Sequence, residues 1–529
     1  MSTTRLMAIG LALLAPLATA APTRAVSPGP LPAALDSHVL QVMKAFEVPG
    51  LALTVVKDGA VVLAKGYGLR KLGEPVPVDG KTRFGIASNT KVFTAVALGL
   101  LVEEGKIDWD APVVRYLPWF QMWDPWVTRE LTIRDLLVHR SGLGLGAGDL
   151  LWWPPSTYDR KEIARRLRFV KPATSFRSAY AYDNVLYLVA GEVIETVSGR
   201  SWEDFVTTRI LAPVGMSGSN VTHSGALEGG NVAVPHARID GVVGPVKPFA
   251  SDNTNPAGGI NSNAEDMGRW LQVLLSDGRL ADGTRLFSEA TAKNLSAVVT
   301  PIPVAEPPAE LAALRSQFRG YGLGLGISDY RGHKVVTHGG VLPGYVSRVH
   351  RVPDLGLGIA ILTNQESEAA YNAILYHLVD HFLGAPRTDW LAAFQKDQAR
   401  EQKEAAEAEA KVAGARAAAS RPSLPLAGYA GTYRDDWYGE VTIAMEAGKL
   451  VIRFVPTPSL VGDLEPWQHD TFVARWHDRE LRADAFVSFA LGPDGKVEQA
   501  KMRAVSPATD FSFDFHDLLL RPEPSPRRP

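Results

Sequence analysis

The 529-residue chain is 46% hydrophobic and 21% charged, a balance that predicts a folded protein with a sizeable core. Its formal net charge of −2 gives no basic excess for neutralising phosphates, so we expect no nucleic-acid partner. The chain has no cysteine, which excludes disulfides, thiolate nucleophiles, iron–sulfur clusters and cysteine-bound zinc.

The first 20 residues (1–20) have the pattern of a secretory signal peptide. Arg5 gives a positive start, Leu6 to Leu17 form an apolar run, and Ala18-Thr19-Ala20 matches a small-residue cleavage site. The apolar run is short for a bilayer span, although a membrane anchor or a disordered start is the alternative interpretation. We therefore predict an exported protein, periplasmic or secreted from a bacterial cell envelope, with no transmembrane anchor after signal cleavage.

Helix and hairpin patterns at both ends of residues 21–396 predict an α/β domain. Apolar periodicity favours a helix near each end of this region, and two pairs of β-prone runs surround the turns Asp58-Gly59 and Pro353-Asp354. In chain order these elements are Pro32–Phe46, Leu51–Lys57, Ala60–Lys65, Tyr345–Val352, Leu357–Thr363 and Glu366–Phe382. We predict one antiparallel sheet flanked by helices, with a large helical insertion between the hairpins.

The composition changes after residue 396. Residues 397–421 are rich in Ala, Glu, Lys and Arg, which indicates a charged helical linker in contact with solvent or a flexible one. Residues 422–521 then contain short β-prone runs that predict a small all-β barrel or sandwich. These runs are Gly439–Ala444, Lys449–Val455, Thr471–Ala474 and Ala485–Leu491. We expect the tail, residues 522–529, to be disordered.

A Ser-x-x-Lys sequence, Ser88-Asn89-Thr90-Lys91, opens a predicted buried helix, Val92–Glu104. Residues three apart share a helix face, so Lys91 would lie beside Ser88. Burial disfavours a charged lysine, and a neutral lysine could accept the proton of serine, which is a weak nucleophile by itself. A surface serine and lysine on an ordinary helix is the alternative, because about one such motif arises by chance in a chain of this length.

Two further motifs carry groups suited to catalysis. Tyr182-Asp183-Asn184 precedes an apolar helix, Val185–Val197; a tyrosine of lowered pKa could relay a proton, and an asparagine could hold a substrate amide. His338-Gly339-Gly340 ends the β-prone run Lys334–Thr337, where backbone N–H groups could complete an oxyanion hole. A packed tyrosine, a helix-capping asparagine and an ordinary turn are the structural alternatives.

The three motifs, in this order, resemble those of the serine β-lactamase and penicillin-binding-protein superfamily, and most closely its class C branch with related DD-peptidases, D-aminopeptidases and esterases. The resemblance covers roughly residues 32–385. Supporting segments are Phe84–Ser88, Leu136–Leu143, Pro256–Ile260 and Asp266–Leu271. The following residues are similar to a lipocalin-like module, with Tyr429–Tyr433 near its start.

The resemblance implies a role for each motif residue. Ser88 is the acylated nucleophile, Lys91 its base, and Tyr182 the acid/base partner that serves the leaving group or the deacylating water. The backbone N–H groups of Ser88 and Val341 form the oxyanion hole. Asn184 contacts the acyl side chain. No metal and no cofactor is implied.

His338, Gly339 and Gly340 stand where the family has Lys-Thr-Gly. Histidine is a poor fixed cation near neutral pH, so we expect weak binding of a β-lactam carboxylate. Asp183 stands where relatives usually have Ser or Ala. A carboxylate there could raise the pKa of a neighbouring base and so change the pH optimum.

These observations predict an exported serine hydrolase that forms an acyl-enzyme with an amide or ester, of the peptidase or esterase type. The substrate would be a small molecule or a peptide, with cell-wall material as one candidate. A class C-like β-lactamase and a non-catalytic penicillin-binding-like sensor are the alternatives. The sequence leaves the oligomeric state open.

Overall fold

The computed structural model describes residues 30–416 and 420–524. The predicted signal peptide, residues 1–20, lies outside the described residues, as do residues 525–529 of the predicted tail. No helix in the described part of the chain is long and apolar enough to cross a membrane.

An eight-stranded antiparallel sheet forms the centre of the first domain, with spatial order β2-β1-β12-β11-β10-β9-β8-β7. Its strands are β1 Gly50–Lys57, β2 Ala60–Gly68, β7 Thr300–Ile302, β8 Arg319–Tyr321, β9 Gly326–Tyr330, β10 His333–Leu342, β11 Tyr345–Val352 and β12 Leu357–Thr363. Two short pairs lie beside it: β3 Phe84–Gly85 with β6 Asn261–Ser262, and β4 His236–Ile239 with β5 Val242–Pro245. The predicted sheet, joining both hairpins, is confirmed.

Twelve α-helices are present among the described residues. They are α1 Leu35–Ala45, α2 Lys91–Glu103, α3 Pro125–Glu130, α4 Arg160–Arg166, α5 Val185–Ser198, α6 Trp202–Val206, α7 Ala212–Val214, α8 Asn255–Gly258, α9 Ala264–Leu275, α10 Glu289–Leu295, α11 Glu368–Leu383 and α12 Trp390–Gly414. Helices α2 to α10 lie between β2 and β7 in the chain, which confirms the predicted helical insertion.

The central strands are buried on both faces of the sheet. Alternate residues of β1 face opposite sides, as the twofold repeat of a strand requires. Leu51 and Leu53 belong to the core beneath α1 and α11, whereas Ala52 and Val56 belong to the core beneath α9. Helices on both faces explain why β1 and β12 are apolar along nearly their whole length instead of alternating with polar residues.

The second domain is a closed eight-stranded antiparallel barrel. Its strands are β13 Gly431–Asp435, β14 Gly439–Glu446, β15 Lys449–Phe454, β16 Val461–Gln468, β17 Thr471–Trp476, β18 Ala485–Leu491, β19 Val497–Ala504 and β20 Leu519–Pro522. The predicted all-β domain is confirmed, and four of these strands match predicted runs.

Helix α12 leads from the first domain towards the barrel. Near its start, Trp390 and Phe394 are buried in the core with α11. Further along, the Arg400 guanidinium binds Glu310 at 3.1 Å and also pairs with Asp397. The charged sequence that predicted a solvated or flexible segment is helical as far as Gly414.

The barrel packs directly against the first domain. The Asp514 carboxylate accepts hydrogen bonds from the backbone N–H groups of Gly148, at 2.7 Å, and Leu150, at 3.0 Å. The Tyr158 hydroxyl donates to the backbone carbonyl of Tyr438 at 2.7 Å. The aromatic and aliphatic residues of both domains belong to one continuous buried cluster. The two domains therefore share a core.

Candidate active site

Ser88 lies in a tight 3₁₀ turn, Ala87–Thr90, between β3 and α2. The helix that follows is apolar on every side and buried, as its sequence predicts. Ala87 has a φ of 50°, a strained conformation for a residue with a Cβ atom. Ser88 is partly exposed, whereas Ala87 and the two residues after Ser88 are buried. The turn therefore presents the serine hydroxyl at the surface of a rigid, buried element.

The Lys91 ammonium group is buried and contacts three oxygen atoms. Its Nζ lies 3.1 Å from Ser88 Oγ, 2.7 Å from the side-chain oxygen of Asn184 and 3.0 Å from the backbone carbonyl of Ala257. The sequence expectation that Lys91 lies beside Ser88 agrees with this geometry. A base at this distance is within reach of the serine proton.

Burial lowers the pKa of Lys91 to about 7. The carboxylates of Asp149 and Asp183 oppose this shift, because a negative charge favours the protonated amine. A lysine with this pKa is partly neutral at neutral pH. It can then accept a proton from Ser88.

The pKa of Lys91 predicts an acid limb in the pH profile. Below about pH 7 the amine is protonated and cannot take the Ser88 proton, so kcat/KM for an activated ester should fall about tenfold per pH unit. Burial raises the pKa of Asp149 to about 7, so this carboxyl group carries only part of a negative charge at the midpoint. Asp149→Asn removes that charge, which favours protonated Lys91, and should therefore move the midpoint to lower pH. Asp282→Asn, at an exposed loop, is the control. An unchanged midpoint in Asp149→Asn would show that this carboxylate does not act on Lys91.

Tyr182 lies against both Ser88 and Lys91. Its ring centroid is 4.9 Å from Lys91 Nζ. Burial raises the pKa of Tyr182 well above its usual value, and hydrogen bonding with Ser88 opposes the shift only in part. The lowered pKa considered from the sequence is therefore wrong. A tyrosine that remains protonated is suited to donate a proton to a leaving group.

Asn184 has both ends of its amide bound to the protein. Its oxygen accepts from Lys91, and its nitrogen donates to Asp149 at 2.8 Å. The Asp149 carboxylate also accepts from the indole N–H of Trp152 at 3.0 Å and from the hydroxyl of Ser512 at 2.9 Å. Ser512 belongs to the barrel domain. Ser512 of the barrel therefore helps to hold Asp149, and Asp149 holds Asn184 against Lys91.

His338 is a buried residue of β10. Its Nε2 atom is 2.7 Å from the hydroxyl of Tyr321. Burial is the main cause that lowers the pKa of His338 to about 3, and the charge of Lys91 adds to the shift. The imidazole is therefore neutral at neutral pH. This agrees with the expectation that His338 is a poor substitute for a fixed cation.

Strand β10 continues through the glycines to Leu342, so the turn considered for this sequence is wrong. Gly340 allows the strand to approach the turn before Ser88. A Cβ atom there would lie 2.2 Å from the backbone oxygen of Ile86 and 2.5 Å from Ser347 Oγ. Only glycine fits this contact, which brings Gly339 and Val341 alongside the serine.

A cavity of about 270 Å³ joins the predicted residues. Its lining includes Ser88, Tyr182, Asn184, His338, Gly339 and Val341. Lys91 lies beneath the cavity and is hydrogen-bonded to Ser88. Gly340 is not part of the lining and packs against the backbone of Ile86. Among the described residues, no group of three or more His, Asp or Glu side chains could hold a metal ion.

Three lining residues come from the barrel and were missed by the sequence analysis: Asp510, Phe511 and Ser512. The Phe511 ring is 6.0 Å from the Tyr182 ring, in an edge-to-face arrangement. These residues follow the catalytic motifs by more than 160 positions, and no local pattern relates them to Ser88. The cavity is therefore built by both domains.

Arg348 was also missed. It lies opposite Gly339 in the β10–β11 pairing, and its guanidinium is 5.9 Å from the Tyr371 ring. Its buried Nε atom has no hydrogen-bond partner among the described residues. Arg348 lines the same cavity as His338, together with the acidic residues Glu368 and Asp510, so it is not an isolated positive charge on the cavity wall.

Comparison with known proteins agrees with this geometry. The family model described as Beta-lactamase matches residues 35–383, and a domain of unknown function, DUF3471, matches residues 415–522. The chain is 29% identical over 486 residues to Unguisins hydrolase ungD' of Aspergillus campestris, covering 86% of each protein. It is 31% identical over 328 residues to Penicillin-binding protein 4 of Amycolatopsis lactamdurans, covering 60% of this chain and 81% of the relative.

A solved structure, that of the octameric penicillin-binding protein homologue from Pyrococcus abyssi, has the same fold across both domains. It aligns with a TM-score of 0.59 and 21% identity, covering 92% of this chain and 98% of that chain. The family match covers most of the first domain, including the Ser88 turn, Tyr182 and strand β10. The chain therefore belongs to the Beta-lactamase family of serine hydrolases.

Proposed function

We propose that the protein is an exported hydrolase that cleaves amide or ester bonds through an acyl-enzyme on Ser88, with peptidase or esterase rather than β-lactamase specificity. The observation that carries this proposal is the 3.1 Å contact between the buried Lys91 Nζ and the Oγ atom of Ser88, which lines a cavity of about 270 Å³. The relatives named as a hydrolase and as a penicillin-binding protein support the same chemistry.

The proposed reaction has two halves, acylation of Ser88 and hydrolysis of the acyl-enzyme, and Lys91 and Tyr182 transfer protons in both. Ser88 Oγ bonds to the substrate carbonyl carbon while its proton passes to Lys91 Nζ. The backbone N–H groups of Ser88 and Val341 stabilise the oxyanion. As the bond to the leaving group breaks, the Tyr182 hydroxyl protonates that group and is reprotonated from Lys91. Water then attacks the acyl-enzyme by the same route and releases Ser88.

Fluorophosphonate labelling followed by a substrate panel tests this function. The purified protein should be labelled on Ser88 and should hydrolyse p-nitrophenyl esters or D-amino-acid amides. Labelling without turnover of any substrate would favour a sensor. Absence of both labelling and turnover would contradict the proposal. Export is tested separately by N-terminal sequencing of protein recovered from the periplasm or the medium.

The neutral His338 predicts a preference for esters over β-lactams. We expect kcat/KM for p-nitrophenyl acetate to exceed that for nitrocefin, because His338 provides no positive charge for the β-lactam carboxylate. His338→Lys should raise kcat/KM for nitrocefin about tenfold, the effect of roughly 1.4 kcal/mol of added binding. His333→Lys, at the other end of strand β10, is the matched control. A wild-type preference for nitrocefin would instead indicate a β-lactamase.

A further inference from the structure

Two exposed tryptophan rings lie close together at the start of α3. Of the twelve tryptophans in the chain, all of which lie in the described part, only Trp123 and Trp126 are exposed, with exposed fractions of 46% and 53%. Between them, Asp124 begins the helix by accepting a hydrogen bond from the backbone N–H of Trp126 at 2.7 Å. Large apolar side chains that are exposed side by side mark a surface that contacts a partner.

Neighbouring side chains hold both exposed rings in place. The ammonium group of Lys171 lies 5.3 Å from the centre of the Trp123 ring. The Phe176 ring packs against Trp126 in an edge-to-face arrangement, with 5.6 Å between the ring centres. Because these contacts already restrict the two indoles, they lose little conformational entropy when a partner covers them.

Three further cations surround a third tryptophan, Trp119, which is half-buried. Lys161 and Arg165, one turn apart on α4, each lie 5.5 Å from the centre of its ring. The Arg168 guanidinium donates a hydrogen bond to its backbone carbonyl at 3.4 Å. The three tryptophans, these three cations and Lys171 are called the aromatic–basic surface below.

The four cations of the aromatic–basic surface have no carboxylate partner. None of them forms an ion pair among the described residues, whereas Arg166 on the same helix pairs with Glu162 at 2.9 Å. Residues 115–130 and 159–177, which form the surface, contain nine Lys and Arg but four Asp and Glu, in a chain of net charge −2. Two of those four carboxylates cap the N-termini of α3 and α4. The positive charge is therefore a local excess, which favours a negatively charged partner.

From these observations we propose that the aromatic–basic surface binds the protein peripherally to an anionic lipid bilayer, with the indoles among the headgroups and the cations on lipid phosphates. The partner must offer an apolar layer beside negative charge. A bilayer has this arrangement, whereas a polyanion in solution has only the charge. Tryptophan favours the membrane–water interface, where its ring contacts hydrocarbon and its N–H stays hydrated. Lysine and arginine beside it add attraction to anionic headgroups. This inference is independent of the chemistry at Ser88.

Sedimentation with vesicles and quenching of tryptophan fluorescence by brominated lipids test this binding. The full chain is mixed with vesicles of phosphatidylcholine, with or without phosphatidylglycerol. It should sediment with the anionic vesicles and be quenched by them more strongly than by the neutral ones. Both signals should fall as the salt concentration rises, because ions screen the attraction. Residues 1–29 contain no tryptophan, so contact of that segment with lipid does not itself cause quenching.

Trp123→Ser combined with Trp126→Ser tests the contribution of the indoles. The double variant should bind anionic vesicles at least about tenfold more weakly, since binding at the interface scales with the apolar area that is buried. Trp467→Ser is the matched control. Trp467 is a half-buried tryptophan of the barrel with its own cation, Arg416, at 4.9 Å from the ring centre, and its replacement should leave the affinity unchanged.

Lys161→Gln combined with Lys171→Gln tests the contribution of the cations. The affinity for anionic vesicles should fall about fivefold for each charge removed, and the loss should shrink at high salt. Lys293→Gln combined with Lys501→Gln removes the same net charge at exposed positions of α10 and β19, and should have no such effect. Thermal melting and hydrolysis of p-nitrophenyl acetate, which needs no membrane, show whether each variant is folded.

Four results would overturn the membrane assignment. They are no binding of the wild type to anionic vesicles, equal binding to anionic and neutral vesicles, binding that survives in both surface variants, and self-association of the wild type that only the tryptophan variant loses. The last result would assign the surface to a contact between copies of the chain. None of these measurements depends on turnover at Ser88, so each leaves the proposed function in place.

Discussion

Ser88→Ala should lower kcat by about a million-fold and abolish fluorophosphonate labelling, while the thermal melting temperature changes little. Removing the nucleophile of a serine hydrolase has an effect of this size, because the remaining site can only bind and polarise the substrate. Ser88 is partly exposed and its hydroxyl bonds only with the site residues Lys91 and Tyr182, so we expect the fold not to depend on it.

Ser178→Ala is the matched control for this substitution. Ser178 is exposed, and its hydroxyl donates only to the nearby backbone carbonyl of Ser175. Its replacement should leave both turnover and labelling at the wild-type level. Near-normal turnover in Ser88→Ala would show that another residue carries the reaction, and the assignment of the nucleophile would then be wrong.

Much of the fold follows from local sequence patterns. The hairpin of β1 and β2 is evident from an Asp-Gly turn between two apolar, β-prone runs, and α2 and α5 from long apolar runs. These signals are local because a buried strand or helix must be apolar along its own length. Strands such as β16 escaped prediction because Gly462, Asp463 and Pro466 are residues more typical of turns.

The catalytic motifs were recognisable, but their surroundings were not. Ser88, Lys91 and Tyr182 come from short motifs with defined spacing, and the structure brings all three together. The position of Arg348 opposite Gly339 depends on the register between β10 and β11, which cannot be derived from either segment alone. Asp149 and Ser512 are 363 positions apart, so their contact depends on how the two domains pack. Contacts between residues so far apart in the chain leave no periodicity or motif spacing by which the sequence could predict them.

The contribution of the barrel changes how the site should be understood. Residues of the second domain line the catalytic cavity and hold Asp149, which in turn holds Asn184 against Lys91. Each link is a short hydrogen bond between buried groups, and such contacts are strong when water is excluded. All the catalytic motifs lie in the first domain, but the hydrogen bonds that position Asn184 beside Lys91 extend into the second domain.

Lys91→Ala and Tyr182→Phe should each lower kcat/KM for an activated amide about a thousand-fold, a typical effect for a general acid or base. The two effects should not multiply. Lys91 Nζ lies 3.1 Å from Ser88 Oγ and 4.9 Å from the centre of the Tyr182 ring, and in the proposed reaction one proton passes through both groups in each half-cycle. When either group is absent, the remaining one has no partner with which to exchange that proton.

A double-mutant cycle measures this dependence directly. The double variant should be about as slow as the slower single variant, because residues that act as a unit give strongly non-additive losses. The control cycle pairs Lys91→Ala with Tyr116→Phe, a tyrosine whose hydroxyl bonds the backbone of Asp108 and does not line the cavity. That second substitution should leave the loss from Lys91→Ala unchanged. A loss near a million-fold in the Lys91 and Tyr182 double variant, the product of two independent effects, would show that the lysine and the tyrosine act in separate steps and that Ser88 is deprotonated without a shared relay.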